Sequence, residues 1–496
     1  MSKKAIIAVI GFNLFIAISF FIMNHGVGYS HLASDQHNIV PMCQKLDNPY
    51  LFQKDLFLSS VENLITNILY GLSWFLLFYI LFEKNFWVAF LLSILIRGLV
   101  WLPGMEVWGF SDLWTFMPRT VYSAFLPIPF IILLWNKKYS FVLSALLIGF
   151  IFNFHPITGL GGILIYLYCV LFLTKKIDYP YRSSIKNLLL SISCISVGML
   201  PFVLTYFGKT VTASTYNLDL YHEAFDARIP GYFKRMAAFA AKWMTAKMLF
   251  FLLPILSMAI VSFFYKKFNQ WALFTIGLSF VLFIVPLLSI PIENWFNEMF
   301  HVNLRMSFQL VRVQKLAILP GYLTIGCLLI WCVNQQLLSK RIFAGITVVY
   351  LAIIILATPS RFKSIPFISD DITTSIFPNE SIFTSIEDKQ TDFDKMAMFI
   401  KKETPADAVF YKEYRLRSAA LRSVKFDHKG ASILIEGNPE KLIEWYQTKQ
   451  KLKTLTEAEK KMFLKEQGVT HILSKENFEV YRLLKQIGKL KLYAIN

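Results

Sequence analysis

Apolar residues in this chain gather in long unbroken runs, without the alternation of a half-buried strand. Runs that approach or span about 30 Å of hydrocarbon occupy 5–23, 64–82, 86–103, 118–135, 139–154, 157–174, 187–207, 247–265, 271–290, 314–333 and 342–358. They predict eleven helices, several of them short and interrupted by proline. The first run follows Lys3 and Lys4. No small-x-small cleavage site follows it and Asn24-His25 is a poor one, so it reads as an uncleaved span.

Beyond residue 358 the pattern changes. Charges become dense, with 24 Lys and Arg against 19 Asp and Glu, and soluble periodicities appear. Thr391–Glu403, Pro439–Lys453 and Glu457–Gln467 read as helices, Ala408–Tyr411 and Thr470–Ser474 as strands. The expected organisation is a helical membrane domain over 1–358, with a long loop at 24–63. A linker over 359–388 and a small α/β or α+β domain over 389–496 follow. No internal repeat is visible, so a transporter built on inverted repeats gains no support.

Composition sharpens the class. The chain is 55% hydrophobic and 17% charged over 496 residues, against about 25% charged in a soluble protein. That excludes an ordinary globular chain and a disordered one, and identifies a mainly α, polytopic membrane protein. The net charge of +18 follows position. Short links carry Lys84, Lys137-Lys138, Lys175-Lys176, Lys266-Lys267 and Lys340-Arg341, as the positive-inside rule expects of cytoplasmic loops. Of 13 acidic residues before 359, only Glu83 and Asp178 fall on that side. The reading is a membrane protein with its amino terminus on the cytoplasmic side and its tail domain outside. The stretches 24–63, 208–246 and 291–313 are then external loops. Nucleic acid is not an expected partner, since no reader motif accompanies the charge. Five cysteines form no disulfide framework or zinc spacing.

Candidate chemistry collects on the outer side. The first loop holds His31, Asp35, His37, Asp47 and Asp55. A carboxylate there is suited to take the proton of an acceptor hydroxyl, although Asp47 and Asp55 also suit helix caps. His25, His31, Asp35 and His37 have the donor mix for Zn or Mn, but their spacing matches no established ligand pattern. Arg119, His155, Arg305, Arg312 and Lys315 approach the outer end of apolar runs, where guanidinium forks suit phosphate oxygens. Arg97 falls nearer mid-membrane, with Glu106 or Asp112 as expected partner. The segment 105–114 mixes Glu106 and Asp112 with aromatics that read as a membrane belt. Gly159, Gly161 and Gly162 read as helix packing. The basic stretch Lys412–Lys429 reads as a charged, solvated strand, with anionic glycan or lipid headgroups as the alternative.

Several short motifs resemble the polytopic GT-C glycosyltransferase superfamily, in particular a bacterial GT-C-like branch. They are Asp47-Asn48-Pro49-Tyr50-Leu51-Phe52 with Asp55, Pro118-Arg119, His155-Pro156 and Gln309-Leu310-Val311-Arg312. In the tail they are Thr404–Phe410, Arg417, Arg422-Ser423, Lys429 and Trp445. The resemblance implies an inverting enzyme using a sugar on a polyprenyl phosphate and a glycan or lipid acceptor at the extracytoplasmic face. It makes Asp35 the catalytic base. His37, Asp47, Asp55, Asp112, Arg119, His155, Arg305 and Arg312 become substrate-binding residues. The residue after Asp35 is Gln36, so the paired acid of the first loop is missing, which leaves a Mg or Mn requirement open. A flippase for a lipid-linked saccharide and a non-catalytic envelope glycan assembly protein are the competing classes.

Overall fold

The computed structural model describes residues 3–24, 49–98, 118–135, 140–176, 185–207, 216–229, 231, 235–243, 246–300, 307–356, 390–431, 434–435 and 438–495. The chain is mostly helical with one small sheet, and it divides into two compact units.

The helical unit begins with α1 (Lys3–Asn24), α2 (Pro49–Leu81), whose residues up to Leu58 fall in the second unit, and α3 (Phe86–Gly98). A broken pair, α4 (Pro118–Phe125) and α5 (Pro127–Leu134), precedes α6 (Ser140–Phe152), α7 (Pro156–Lys176) and α8 (Ile185–Phe207). Helix α9 (Leu218–Arg228) belongs to the second unit. Then come α10 (Met236–Trp243), α11 (Ala246–Phe264), α12 (Asn269–Phe300), the short α13 (Ser307–Leu310), a 3₁₀ turn at Val311–Ala317, α14 (Ile318–Asn334) and α15 (Lys340–Leu356).

Every apolar run of the sequence contains a described helix. Among the described residues, three stretches of helix are long and apolar enough to cross a membrane: 186–205, 266–300 and 311–334. Eight shorter apolar helices accompany them. The expected eleven crossings are therefore not established by length alone. The stretches 208–246 and 291–313, expected to be loops, contain helices among their described residues. They include α9 and α10, and α12 continues past Pro291 to Phe300. The outward face of the unit is apolar, as lipid demands: Phe263, Leu204 and Phe280 are each more than 60% exposed.

Prolines dictate how these helices dock. Pro127 has no N–H for the Ser123 carbonyl four residues back, which breaks α4 from α5. The Trp74 indole of α2 donates to that carbonyl instead (3.1 Å), and the Ser73 hydroxyl donates to the Ala124 carbonyl (2.7 Å). Near Pro201 in α8, Asn153 does the same work from the end of α6. Its amide nitrogen donates to the Gly198 carbonyl and its oxygen accepts from the Phe202 N–H, both at 2.9 Å. In hydrocarbon each such group would otherwise be unsatisfied at a cost of several kcal/mol.

The unit has two chemically different ends. At one, Phe82 packs on Gly326 and on Trp271, Tyr265 meets Trp331, and Asn334 donates to Glu83 at 3.2 Å. That gathers the turns bearing Lys84, Lys266-Lys267 and Lys340-Arg341. From Asn269 at this end, α12 runs to Glu293, roughly 36 Å at 1.5 Å per residue. There the Glu293 carboxylate accepts from the Ser307 N–H and hydroxyl, both at 2.7 Å.

In the second unit the carboxy-terminal residues build a five-stranded mixed sheet of order β2-β1-β3-β5-β4. Its strands are β1 (Val409–Tyr411), β2 (Ser423–Lys425), β3 (His471–Ser474), β4 (Arg482–Ile487) and β5 (Leu490–Ala494). The pairs β2–β1 and β1–β3 are parallel, whereas β3–β5 and β5–β4 are antiparallel. Helices α16 (Asp392–Glu403), α17 (Leu416–Ala419), α18 (Pro439–Thr454) and α19 (Glu457–Glu466) complete it. Thr391 with Asp394 and Thr456 with Glu459 form reciprocal capping boxes that start α16 and α19. Phe393, Met396 and Ile400 of α16 pack on Phe410, Val424 and Leu492.

The basic stretch 412–429 is no continuous strand: it holds the short helix α17 and only β2 is extended, and its arginines are engaged. Arg422, 7% exposed, donates to the carbonyls of Lys401, Thr404, Ala420 and Leu421 and to the Thr404 hydroxyl. It thereby closes the carboxyl end of α16, whose last carbonyls lack helical donors. Arg415 forms a fork on Glu413, and Arg417 pairs with buried Asp427. Arg422→Met should destabilise this unit by about 3 kcal/mol, since several charge-assisted bonds vanish and buried carbonyls are stranded. Faster proteolysis of the segment after 390 in the intact chain checks it; wild-type resistance would contradict the role.

Candidate functional site

The sequence-derived candidates divide by location. Asp35, His37, Asp47, Asp112 and Arg305 lie outside the described residues, as do His25, His31 and Glu106. Asp55 lies within α2, six residues after its first residue Pro49, so it is not a helix cap. Arg97 is in the last turn of α3. Arg119, His155 and Arg312 all lie in the helical unit, and the structure brings their backbones around the first two turns of α7.

Helix α7 opens on Pro156, which fits the first helical position because no partner is needed there for an N–H. His155 precedes it and acts as the cap: its Nδ1 accepts from the Thr158 N–H at 3.2 Å. An accepting Nδ1 places the neutral imidazole's proton on Nε2. No acidic residue occupies this first turn, so the positive end of the helix dipole is unopposed within it.

Two other elements reach α7 through its glycines. A Cβ on Gly162 would fall onto the Tyr122 hydroxyl, and one on Gly161 would lie 2.4 Å from Leu316 Cδ1 and 2.9 Å from Val313 Cγ1. Tyr122 is one turn after Arg119 in α4. Val313 and Leu316 share one face of the 3₁₀ turn, because three residues complete a turn there, and Arg312 immediately precedes Val313. A third glycine, Gly159, packs against Phe152. The three glycines are thus close-approach positions, as the sequence suggested.

The 3₁₀ turn is seven residues long, where runs beyond three or four are uncommon and often mark function. Its placement is held from below and above. Gln314, fully buried, donates to the Phe283 carbonyl of α12 at 2.7 Å, and Glu293 pins Ser307 just before it. Around this end, Thr158 Oγ1 and Gln309 Oε1 are buried with no hydrogen-bond partner among the described residues. Two arginines, a histidine, a helix amino terminus and unsatisfied polar atoms are thus carried by elements that meet here, and these are group types that suit an oxyanion.

Sequence reasoning singled out Arg119, His155 and Arg312 as candidates and passed over Glu293, Thr158 and Gln314, which the structure places on the same elements or against them. The available signal for Glu293 was a lone carboxylate at the edge of an apolar run. An apolar cavity of about 240 Å³ also lies in this unit, lined by Trp74, Phe78, Leu126, Phe130, Trp271 and Leu319 among others. It contains none of the three cationic candidates. Among the described residues no group of three or more His, Cys, Asp or Glu is placed to hold a metal ion.

No family model matches the chain, and no curated protein matches it. Among solved structures it is similar to the oligosaccharyltransferase of Archaeoglobus fulgidus, determined in complex with Zn and sulfate. Identity is 11% and the TM-score 0.30; the match covers 83% of this chain and 55% of that one. The chain thus spans about half the length of that protein.

Proposed function

We propose that this protein transfers a sugar from a polyprenyl-phosphate donor to a glycan or lipid acceptor at the extracytoplasmic face of a bacterial cytoplasmic membrane. The observation that supports this reading is the grouping of Arg119, His155 and Arg312 about the start of α7. The basic turns at the other end of the helical unit suit the cytoplasmic side. Eleven crossings and an amino terminus inside complete the topology.

In this mechanism the donor enters sideways from the outer leaflet, and its phosphate rests against the two guanidinium groups and the imidazole Nε2–H. Asp35 removes the proton of the acceptor hydroxyl as its oxygen attacks the anomeric carbon. The bond to the phosphate oxygen breaks, with inversion. Negative charge grows on the departing lipid phosphate, where Arg119, His155 and Arg312 stabilise it. His37, Asp47, Asp55, Asp112 and Arg305 contact donor or acceptor. No step is assigned to a divalent cation.

Arg312→Ala should weaken binding of a polyprenyl phosphate by about 2 kcal/mol, roughly thirty-fold, the loss of charge-assisted hydrogen bonds. Titration of the purified protein with the lipid measures it. An unchanged affinity returns Arg312 to a structural role. Binding by the wild type without any transfer would favour a flippase.

A further inference from the structure

A second cationic cluster lies wholly within the other unit, where α9, the turn after Asp427 and α18 converge. Arg228, in the last turn of α9, places Nη1 3.3 Å from His428 Nε2. From α18, Lys449 Nζ reaches the Ala227 carbonyl at 3.4 Å and lies 4.8 Å from the centre of the Trp445 ring. The His428 ring sits 5.8 Å from the same indole. Trp445 is buried, so it is a floor for these groups rather than an open face for stacking.

Among the described residues, the charges acting on Lys449 and His428 are mostly cationic. Those acting on Lys449 are Lys453, Lys412 and Arg228, and with burial they hold its ammonium below the usual lysine range. Burial, and then Arg228 and Lys449, push the His428 imidazole down to about 4. The acid acting on His428 is Asp427. That carboxylate is buried and already taken: it accepts from Arg417 and from the Gly430 N–H. Like charges held together cost folding free energy. Segments some 200 residues apart nevertheless bring these together, and their half-exposed positions leave the cluster open to solvent.

We infer that Arg228, His428 and Lys449, with Lys429 at the rim, form a binding site for a phosphoryl group. A guanidinium fork, an ammonium point charge and an imidazole arrive from three elements, which suits the non-bridging oxygens of a tetrahedral phosphoryl group better than a planar carboxylate. The phosphoryl group belongs either to an anionic lipid headgroup or to a soluble phosphate compound. The site is independent of the transfer reaction proposed above.

Equilibrium dialysis of the full chain with radiolabelled inorganic pyrophosphate, in nanodiscs of phosphatidylcholine, tests the inference. The expected result is saturable binding that Lys449→Gln and Lys429→Gln each weaken about tenfold, with Lys449→Arg restoring it. Pyrophosphate held in the helical unit persists in these variants, so the difference between variants and wild type isolates this site. Repeating the titration with phosphatidylglycerol in the disc separates the sources: suppressed binding identifies the headgroup, and unchanged binding identifies the soluble compound. Absence of saturable binding by the wild type overturns the inference, as does equal binding by wild type and both glutamine variants.

Discussion

Gly149→Val is expected to prevent the helical unit from folding. Helices α6 and α8 approach so closely that a Cβ on Gly149 would lie 2.2 Å from the Ile195 carbonyl oxygen. One on Gly198 would lie 2.4 Å from that of Leu146. The obstacle in each case is backbone, which has no rotamer to change. Overpacking a well-filled interior costs about 1–3 kcal/mol and sometimes more. Here the helices must part, and the Asn153 bonds to Gly198 and Phe202 part with them. A loss of at least ~3 kcal/mol should appear as aggregation on detergent extraction. Gly11→Val and Gly345→Val are the controls, since nothing lies within 4 Å of a Cβ at either position. A Gly149→Val protein that melts like those controls would contradict the α6–α8 packing.

Asp35→Asn should reduce transfer by about 10²–10⁴, the usual value of a positioned general base. Asparagine keeps the size and hydrogen-bonding reach of the aspartate but cannot take a proton. Insertion, detergent stability and donor affinity should stay at wild-type values, which separates loss of chemistry from loss of structure. Asp47→Asn and Asp55→Asn, proposed to act by contact alone, should cost less. Wild-type rates in Asp35→Asn would remove that residue from the mechanism.

Helices and membrane character were legible because hydrocarbon imposes one local rule on every residue it surrounds. The tail helices were legible for a different local reason: Thr391 and Thr456 carry capping boxes, and Asn438-Pro439 a cap followed by proline at the first helical position. Strand β4 offered no such signal. Five of its six residues are exposed, so the alternation that betrays a half-buried strand is missing. The left-handed Gly488 between β4 and β5 was the available hint of a hairpin. Helix α9 hid in a polar loop, although Asn217, Asp219 and Arg228 mark its cap, first turn and last turn.

The tail motifs carry a related lesson. Thr404, Arg417 and Arg422 stood out as a pattern, and the structure uses all three to hold backbone and Asp427 in place. Trp445, another motif residue, lies beneath Lys449 and His428, and their contact with α9 was concealed by sequence separation. In the helical unit the candidate residues Arg119, His155 and Arg312 were readable one by one as ionisable groups at the rims of apolar runs. Their grouping was not, because it depends on which helices meet Gly161 and Gly162.

Transfer from a panel of radiolabelled polyprenyl-phosphate sugars, by membranes containing the wild type or Arg312→Ala, tests the central claim most directly. Sugar transfer to a glycan or lipid acceptor by the wild type, with the rate at limiting donor falling about thirty-fold in a variant that still inserts and folds, is the predicted result. Transfer by neither protein from any donor, or equal rates from both, would contradict it.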